Sequence, residues 1–200
     1  MKKVLMIVLA AAALLSTAKN ADAQIALGGS AFVAHETGNV VGDPANNNFF
    51  GLTLGATYYQ HIGRTMAISG GVNYRFAYDP NPKGMEHSVE VPVAFNYFFT
   101  KDKDFVPFIQ QGHEANVVPF VFAGPTLEYG FGGNVLSAKR FAEGSLKPLN
   151  VLVGGGVGLY LVDSSIMFKL GYDCSLMDYN YDNTYAQRRH YIRLGVAFVL

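Results

Sequence analysis

The fold is decided by a stretch in which two kinds of side chain alternate strictly, residues 66–78, MAISGGVNYRFAY. One parity carries large apolar side chains such as Ile68 and Phe76, and the other carries small or polar ones such as Ser69 and Arg75. Because successive side chains of a β-strand point to opposite faces, a period of two indicates a strand. The stretch therefore predicts a strand with one apolar face and one polar face.

Seven further segments complete a set of eight predicted strands. They are 25–35, 49–60, 88–99, 117–131, 149–160, 166–173 and 192–200. Strands of soluble proteins usually hold about 5 or 6 residues, whereas tilted membrane-spanning strands need about 9 to 11. Most of the eight segments reach the longer length, so the pattern favours a barrel that crosses a membrane.

The connections between these strands alternate in length. Long or polar segments are expected at 36–48, 79–86, 132–148 and 176–188, and tight turns at 61–64 and 161–164. Bacterial outer-membrane barrels pair long outer loops with short periplasmic turns. This alternation predicts an up-and-down barrel with both chain ends on the periplasmic side. The segment 100–116 is long for the short side, which leaves either a short helix there or a different strand count.

The beginning of the chain has the pattern of an export signal. Lys2 and Lys3 precede an apolar run from Val4 to Leu15, and a small-x-small cleavage site follows at Ala21–Ala23. The run is too short to span a bilayer as a helix, which needs about 20 residues. We expect residues 1–23 to be a removed signal peptide and residues 24–200 to form one outer-membrane β-barrel domain.

The charge balance disfavours nucleic acid as a partner. The chain holds 15 Lys and Arg against 15 Asp and Glu, and without Lys2, Lys3, Lys19 and Asp22 there remain 12 against 14, a net charge of −2. A nucleic-acid-binding surface normally shows an excess of positive charge. Cys174 is the only cysteine, so no disulfide forms within the chain.

Aromatic residues at the strand ends indicate which face meets lipid. Membrane barrels carry belts of aromatic side chains at both interfaces, which we call girdles. The periplasmic girdle is predicted to comprise Tyr58, Tyr97, Phe99 and Phe198, and the outer girdle Phe50, Tyr74, Tyr78, Tyr129 and Tyr172. The apolar parity is therefore expected to face outward, into lipid.

The polar parity is expected to fill the barrel interior with small residues and balanced charges. The predicted lumen charge cluster is Arg75, Glu90, Glu128, Lys169, Asp173 and Arg193. An unpaired charge inside a narrow barrel would be costly, so these groups should pair with one another. If the hairpin around Asn81 and Pro82 is symmetric, Arg75 lies directly opposite Glu90.

Three segments resemble the PorT-like outer-membrane β-barrel family. They are Ser88–Val93 with its Glu-x-Pro step, Val118–Pro125 with its Gly-Pro step, and the alternating C-terminal strand 192–200, which also resembles the signal for barrel insertion. The resemblance covers nearly all of the chain after the signal. It implies a small barrel without a cofactor and often without an assigned activity. Pro92 and Pro125 are expected to need bulges, because proline cannot donate to the ladder.

No catalytic or metal-binding motif emerges from the remaining residues. His87-Ser88, at an outer strand end, is the best candidate for a nucleophile with its base, but the pair lacks a recognisable motif. A metal site at His113-Glu114 with His61 lacks ligands at helical or hairpin spacing. Since eight strands leave an interior just wide enough for side chains, a wide pore is also disfavoured.

The sequence thus predicts an all-β, eight-stranded antiparallel up-and-down transmembrane β-barrel in the outer membrane of a Gram-negative bacterium. It would be a structural or interaction protein, not an enzyme, with exposed loops such as the Tyr- and Asn-rich segment 176–188. Expected partners are outer-membrane lipid, the barrel insertion machinery, and an unnamed extracellular or periplasmic protein. Two alternatives stay open: a soluble secreted or periplasmic barrel that binds an apolar ligand inside, and a lipid-modifying barrel enzyme.

Overall fold

A computed structural model describes residues 23–38, 47–80, 84–101, 105, 107, 117–132, 148–177 and 187–200. These residues form eight strands. In chain order they are β1 (Ala23–Gly38), β2 (Asn47–Gly63), β3 (Met66–Asp79), β4 (Gly84–Phe98), β5 (Val117–Gly132), β6 (Leu149–Leu161), β7 (Ile166–Ser175) and β8 (Gln187–Val199). Among the described residues, no helix is long and apolar enough to cross a membrane.

The eight strands close into a single barrel in which each strand is antiparallel to both of its neighbours. The seam is the pairing of β1 with β8, where for example Ala31 lies opposite Leu194. The predicted eight-stranded antiparallel up-and-down barrel is therefore confirmed, with the predicted strand count. The start of β1 and the end of β8 lie with the turns 64–65 and 162–165 at one end of the barrel, called the turn end, and the opposite end is the loop end.

The strands extend further towards the loop end than the sequence predicted. β1 continues to Gly38, β4 begins at Gly84 and β8 begins at Gln187, all inside segments expected to be loops. At the turn end, β2 continues through Gly63, so the predicted turn 61–64 shrinks to 64–65. These corrections matter because the added strand residues bring charged side chains into the lumen.

The register of the β3–β4 hairpin is centred between positions 81 and 82, since Asp79 lies opposite Gly84. Arg75 lies opposite Ser88, and Glu90 lies opposite Asn73. The predicted direct opposition of Arg75 and Glu90 is therefore wrong by two residues. A hairpin centred between positions 81 and 82 pairs residue 75 with residue 88, so the expected pair did not follow from that centre.

Pro92 and Pro125 are accommodated within their strands without bulges, contrary to expectation. Pairing with β3 is interrupted opposite Pro92, and pairing with β4 is interrupted at Pro125, yet the register is the same on both sides of each gap. Each proline removes one hydrogen-bond donor from the ladder without adding a residue. The register shifts that the barrel does contain lie elsewhere, at His61/Gly63 and at His87/Ser88.

The apolar parity faces outward and the polar parity faces inward. Leu194 is 64% exposed and Leu54 is 66% exposed, whereas Arg75 and Glu90 are each 1% exposed. A soluble barrel that carries an apolar ligand would need the reverse orientation. The alternative with the apolar parity inside is therefore wrong.

The long connection at the turn end contributes to closing the barrel. Of the segment 100–116, the structure describes residues 100, 101, 105 and 107, and the expected short helix lies outside the described residues. Phe105 is fully buried, and its ring packs 5.9 Å from that of Phe98. Phe105 therefore covers the turn end of the lumen with an aromatic side chain.

Candidate functional site

The centre of the site is Arg75 on β3, which is buried in the lumen near the loop end. Its Nη2 donates to Oε1 of Glu86 at 2.7 Å and also to Glu128. Its Nε donates to Oγ of Ser88 at 2.8 Å, and its Nη1 donates to the Tyr191 hydroxyl at 2.5 Å. Because the partners come from β4, β5 and β8, one guanidinium joins four strands of the barrel.

A second arginine, Arg193 on β8, extends the network towards the middle of the lumen. Its two terminal nitrogens donate to the two carboxylate oxygens of Glu90 at 2.8 and 2.9 Å. Its Nε lies 2.6 Å from Oδ2 of Asp173 on β7. Glu90 also lies 3.7 Å from Nε of Arg75, which connects the two arginines through one carboxylate.

A third arginine completes the network at the loop end. Arg189 donates from Nη1 to both oxygens of Glu86 at 2.8 and 3.0 Å, and its Nε lies 3.6 Å from Glu36. Its guanidinium lies 4.9 Å from the centre of the Phe49 ring. Sequence reasoning missed these three residues because Glu36 and Glu86 fell in predicted loops and Arg189 lay before the predicted strand 192–200. Continuing the polar parity of their strands would have placed all three in the lumen.

The structure brings five of the six predicted cluster residues into this network, and Lys169 is the exception. Its Nζ donates to the Tyr59 hydroxyl and lies 5.1 Å from the Tyr59 ring centre and 5.7 Å from that of Phe122. No acidic side chain among the described residues forms an ion pair with it. Lys169 is thus held by aromatic rings nearer the turn end.

The network has the chemistry of a cross-brace and not of a reactive centre. Among the described residues, it joins three guanidinium groups to five carboxylates and to the hydroxyls of Ser88 and Tyr191. Charge-assisted hydrogen bonds in a water-poor interior are short and directional, and their partners are costly to separate. The arrangement therefore fills the lumen and fixes the positions of the strands that carry it.

Below the network lies a cavity of about 170 Å³, and below the cavity lies an aromatic floor. Charged groups of the network, including Glu90 and Arg193, line the side of the cavity nearer the loop end, and Phe122 and Lys169 line it nearer the turn end. The floor is a buried cluster in which the rings of Phe98 and Phe120 stack 5.1 Å apart. The lumen is thus filled at two levels with this cavity between them.

Inward glycines on β6 make room for the aromatic floor. A Cβ placed on Gly156 would lie 2.8 Å from Cζ of Phe122, and a Cβ on Gly158 would overlap the ring of Phe120. The dense glycines of β6 therefore serve packing, since larger side chains there would displace the rings.

The predicted girdle residues all lie on outward positions of their strands. At the loop end, Phe50 contacts Tyr78 with ring centres 5.4 Å apart, and at the turn end Tyr97 contacts Phe99 at 5.0 Å. The other five are Tyr58, Tyr74, Tyr129, Tyr172 and Phe198. Whether these rings mark the edges of a bilayer stays a prediction.

The structure places His87 and Ser88, the best catalytic candidate, on opposite faces of their strand, and it brings no metal site together among the described residues. His87 points outward, where its Nδ1 contacts the Tyr74 hydroxyl, whereas Ser88 points inward and is fully buried. Neighbouring strand residues face opposite sides, so His87 cannot activate Ser88. His113 and Glu114 lie outside the described residues, and no group of three metal-ligating side chains is present within the described part of the chain.

These features define the class of the molecule: a closed eight-stranded antiparallel β-barrel with an apolar outer face and an ion-paired lumen. In sequence, the chain matches no protein-family model and no curated protein. Among solved structures, it is similar to the Neisserial surface protein NspA, with 16% identity, a TM-score of 0.48, and coverage of 86% of this chain and 97% of that one.

Two other solved structures show comparable similarity. The outer membrane enzyme PagL has 14% identity and a TM-score of 0.47, with 84% of this chain and 98% of that chain covered. Ail, the attachment invasion locus protein of Yersinia pestis, has 10% identity and a TM-score of 0.44, with 88% and 99% covered.

Proposed function

We propose that the chain spans the outer membrane of a Gram-negative bacterium, with its turn end in the periplasm. The observation that carries the proposal is the distribution of charge on the strands. Every Asp, Glu and Lys whose side chain the structure describes within a strand faces the lumen, and the outward face consists mainly of Leu, Val, Ile, Phe and Tyr. A continuous apolar outer face with charges inside is the arrangement that a hydrocarbon environment requires.

Within the membrane, the barrel would act as a structural or interaction protein that presents its loops outside the cell. The braced lumen supports this role because it leaves no wide channel and holds the strand ends that carry the loops in fixed positions. Loops on a rigid scaffold are the usual place for binding residues. The Tyr- and Asn-rich segment 176–188 is the first choice for contact with an extracellular protein.

Two finer assignments belong to the same proposal. The Glu-x-Pro and Gly-Pro steps at Pro92 and Pro125 support membership of the PorT-like family, and the alternating segment 192–200 supports recognition by the barrel insertion machinery. The pattern at residues 1–23 supports export by a removed signal peptide. We favour a non-enzymatic role because His87 and Ser88 face opposite sides of the wall.

Membrane fractionation tests the location. The protein should sediment with outer membranes, require detergent for extraction, and migrate differently on a gel before and after boiling, as folded barrels do. Recovery in the aqueous fraction without detergent would overturn the proposal. For the interaction role, envelopes crosslinked before purification should yield a specific surface partner with the intact chain and lose it when segment 176–188 is replaced by a Gly/Ser loop of equal length.

A further inference from the structure

The outward face carries an apolar groove of about 700 Å³ that crosses β8, β1, β2 and β3 near the loop end. Its walls include Val33, Leu52 and Leu194. Its floor is low where Ala31 carries only a methyl group, and Phe32 and Gly51, whose side-chain positions face inward, also line it. The groove is wide enough for a hydrocarbon chain and is lined almost entirely by apolar atoms.

A row of polar side chains lies across the loop end of this groove. In the register, His190 of β8 is opposite His35 of β1, which is opposite Asn48 of β2. The pair Val33 and Ile192 lies two residues nearer the turn end, about 7 Å away along the strands. The polar row therefore borders the groove directly.

Each histidine of this row is held by one neighbour through Nδ1. Nδ1 of His35 lies 2.8 Å from Oδ1 of Asn48, and Nδ1 of His190 lies 2.6 Å from the Tyr172 hydroxyl. These bonds orient the rings and leave both Nε2 atoms without a partner among the described residues. Because Oδ1 of Asn48 only accepts, Nδ1 of His35 is the donor and the Nε2 of a neutral His35 ring is an acceptor. Nε2 of His190 can donate to a ligand when its Nδ1 accepts from the Tyr172 hydroxyl.

Arg188 adds a positive charge at the loop end of the groove. Among the outward strand positions that the structure describes, Arg188 is the only Asp, Glu, Lys or Arg, and it lies two residues beyond His190 towards the loop end. No acidic side chain of the described residues pairs with its guanidinium. At the edge of an apolar surface, such a cation can bend towards the headgroup layer and bind an anion there. Arginine binds phosphate with two parallel hydrogen bonds.

We propose that this groove binds one acyl chain of a phosphate-bearing membrane lipid, whose phosphate is held by Arg188 with His190. The inference rests on the proposed membrane location, because only a bilayer supplies such a ligand to the outward face. The apolar groove provides the site for the chain, and Arg188 at its loop end provides the charge that selects the headgroup.

Fluorescence quenching by brominated lipid measures this selection. The chain contains no tryptophan, so Phe50→Trp places a single reporter in the groove wall, and Phe131→Trp places a control reporter near the loop end of β5 on the other side of the barrel. The variants are inserted into phosphatidylcholine vesicles that contain a minor fraction of dibrominated phosphatidic acid or of dibrominated phosphatidylcholine.

At the Phe50 position, phosphatidic acid should quench more strongly than phosphatidylcholine, corresponding to about threefold or greater enrichment, since charge-assisted phosphate contacts favour that headgroup. At the Phe131 position, the two lipids should quench equally. Arg188→Gln with His190→Gln should abolish the preference, and so should Ala31→Phe, which fills the groove. Arg64→Gln, at the turn end, should retain it. Gel mobility checks that each variant is folded.

The outcomes separate the two proposals. Equal quenching by both lipids at both reporters would overturn the lipid site while supporting insertion. A preference that persists in Ala31→Phe would show that the groove is not the seat and would overturn the proposal as stated. Absence of quenching by either lipid at either reporter would overturn the membrane location itself.

Discussion

Arg193 of β8 and Glu90 of β4 form a two-pronged ion pair across the lumen, with nitrogen–oxygen distances of 2.8 and 2.9 Å. The two strands share no edge in the barrel, since β4 pairs with β3 and β5 and β8 pairs with β7 and β1. The pair therefore connects walls that the backbone ladder leaves unconnected. A contact of this kind resists flattening of the barrel as well as loss of the individual strands.

Replacing Arg193 with lysine should destabilise the barrel although the charge is kept. A lysine ammonium cannot reproduce the planar two-pronged contact with Glu90 or the simultaneous bond to Asp173. We expect a loss of about 1.5–3 kcal/mol, the range for a hydrogen bond to a charged group. Urea titration of the folded band on gels, in lipid vesicles, measures it. Arg64→Lys, in the exposed turn, is the control, and an equal effect of both substitutions would contradict the cross-lumen role.

Removing the charge of Arg75 and removing that of Lys169 should have different effects on the stability of the barrel. Arg75→Met removes the guanidinium that Glu86, Glu90 and Glu128 share and should cost about 3–5 kcal/mol, because breaking a buried ion pair from one side is strongly destabilising. Lys169→Met removes a cation that has no acidic partner among the described residues, so stability should be unchanged or should rise. The same urea titration compares them. A larger loss in Lys169→Met than in Arg75→Met would show that the network around Arg75 is not the main brace.

An arginine placed on the outward face should report the surrounding solvent. Leu194→Arg, near the middle of β8, should cost about 2–4 kcal/mol in a bilayer, whereas Ile62→Arg, near the turn end of β2, should cost about 0–1 kcal/mol. Folding efficiency into vesicles at a series of urea concentrations gives both values. In water neither substitution would be penalised, so equal tolerance would contradict a hydrocarbon environment.

The two inward glycines 158 and 171 should respond differently to alanine. A Cβ at Gly158 overlaps the Phe120 ring, and we expect a loss of about 1–3 kcal/mol, typical of overpacking. At Gly171 the nearest atom would be Cζ of Phe122 at 3.2 Å, at the far end of a side chain. Gly171→Ala should therefore be close to neutral, helped by the reduced entropy of the unfolded chain. If Gly158→Ala proved neutral, the β6 glycines would not be needed for the aromatic floor.

Single cysteines should establish which end faces the cell exterior. In a Cys174→Ser background, Pro80→Cys at the loop end should react with a membrane-impermeant maleimide on intact cells. Ser164→Cys at the turn end should react only after the outer membrane is permeabilised. Both positions are exposed, so reactivity depends on the compartment. The opposite pattern would invert the proposed orientation.

The class of fold can be predicted from the sequence because the pattern that specifies it is local to each strand. Alternation along each strand specifies two faces, and the inward placement of Arg75, Glu90 and Arg193 follows directly from it. Strand ends were less visible, since the polar residues that extend β1, β4 and β8 into the lumen resemble loop residues in composition. That is why Glu36, Glu86 and Arg189 were missed.

Other parts of the site depend on relationships that a single strand does not encode. Register decides that Arg75 opposes Ser88, and register is set by pairing across a turn. The burial of Phe105 beneath the barrel and the pairing of Lys169 with Tyr59 arise from contacts between segments far apart in the chain. Neither leaves a periodic signal.

The charged brace and the aromatic floor obstruct the lumen one after the other along its axis. A solute would have to pass both obstructions in turn, so the narrower one limits its rate of permeation. Substitutions that remove side chains from only one of the two would leave the lumen closed to solutes. A selection for permeable variants should therefore recover paired substitutions, one in the ion-pair network and one in the aromatic floor.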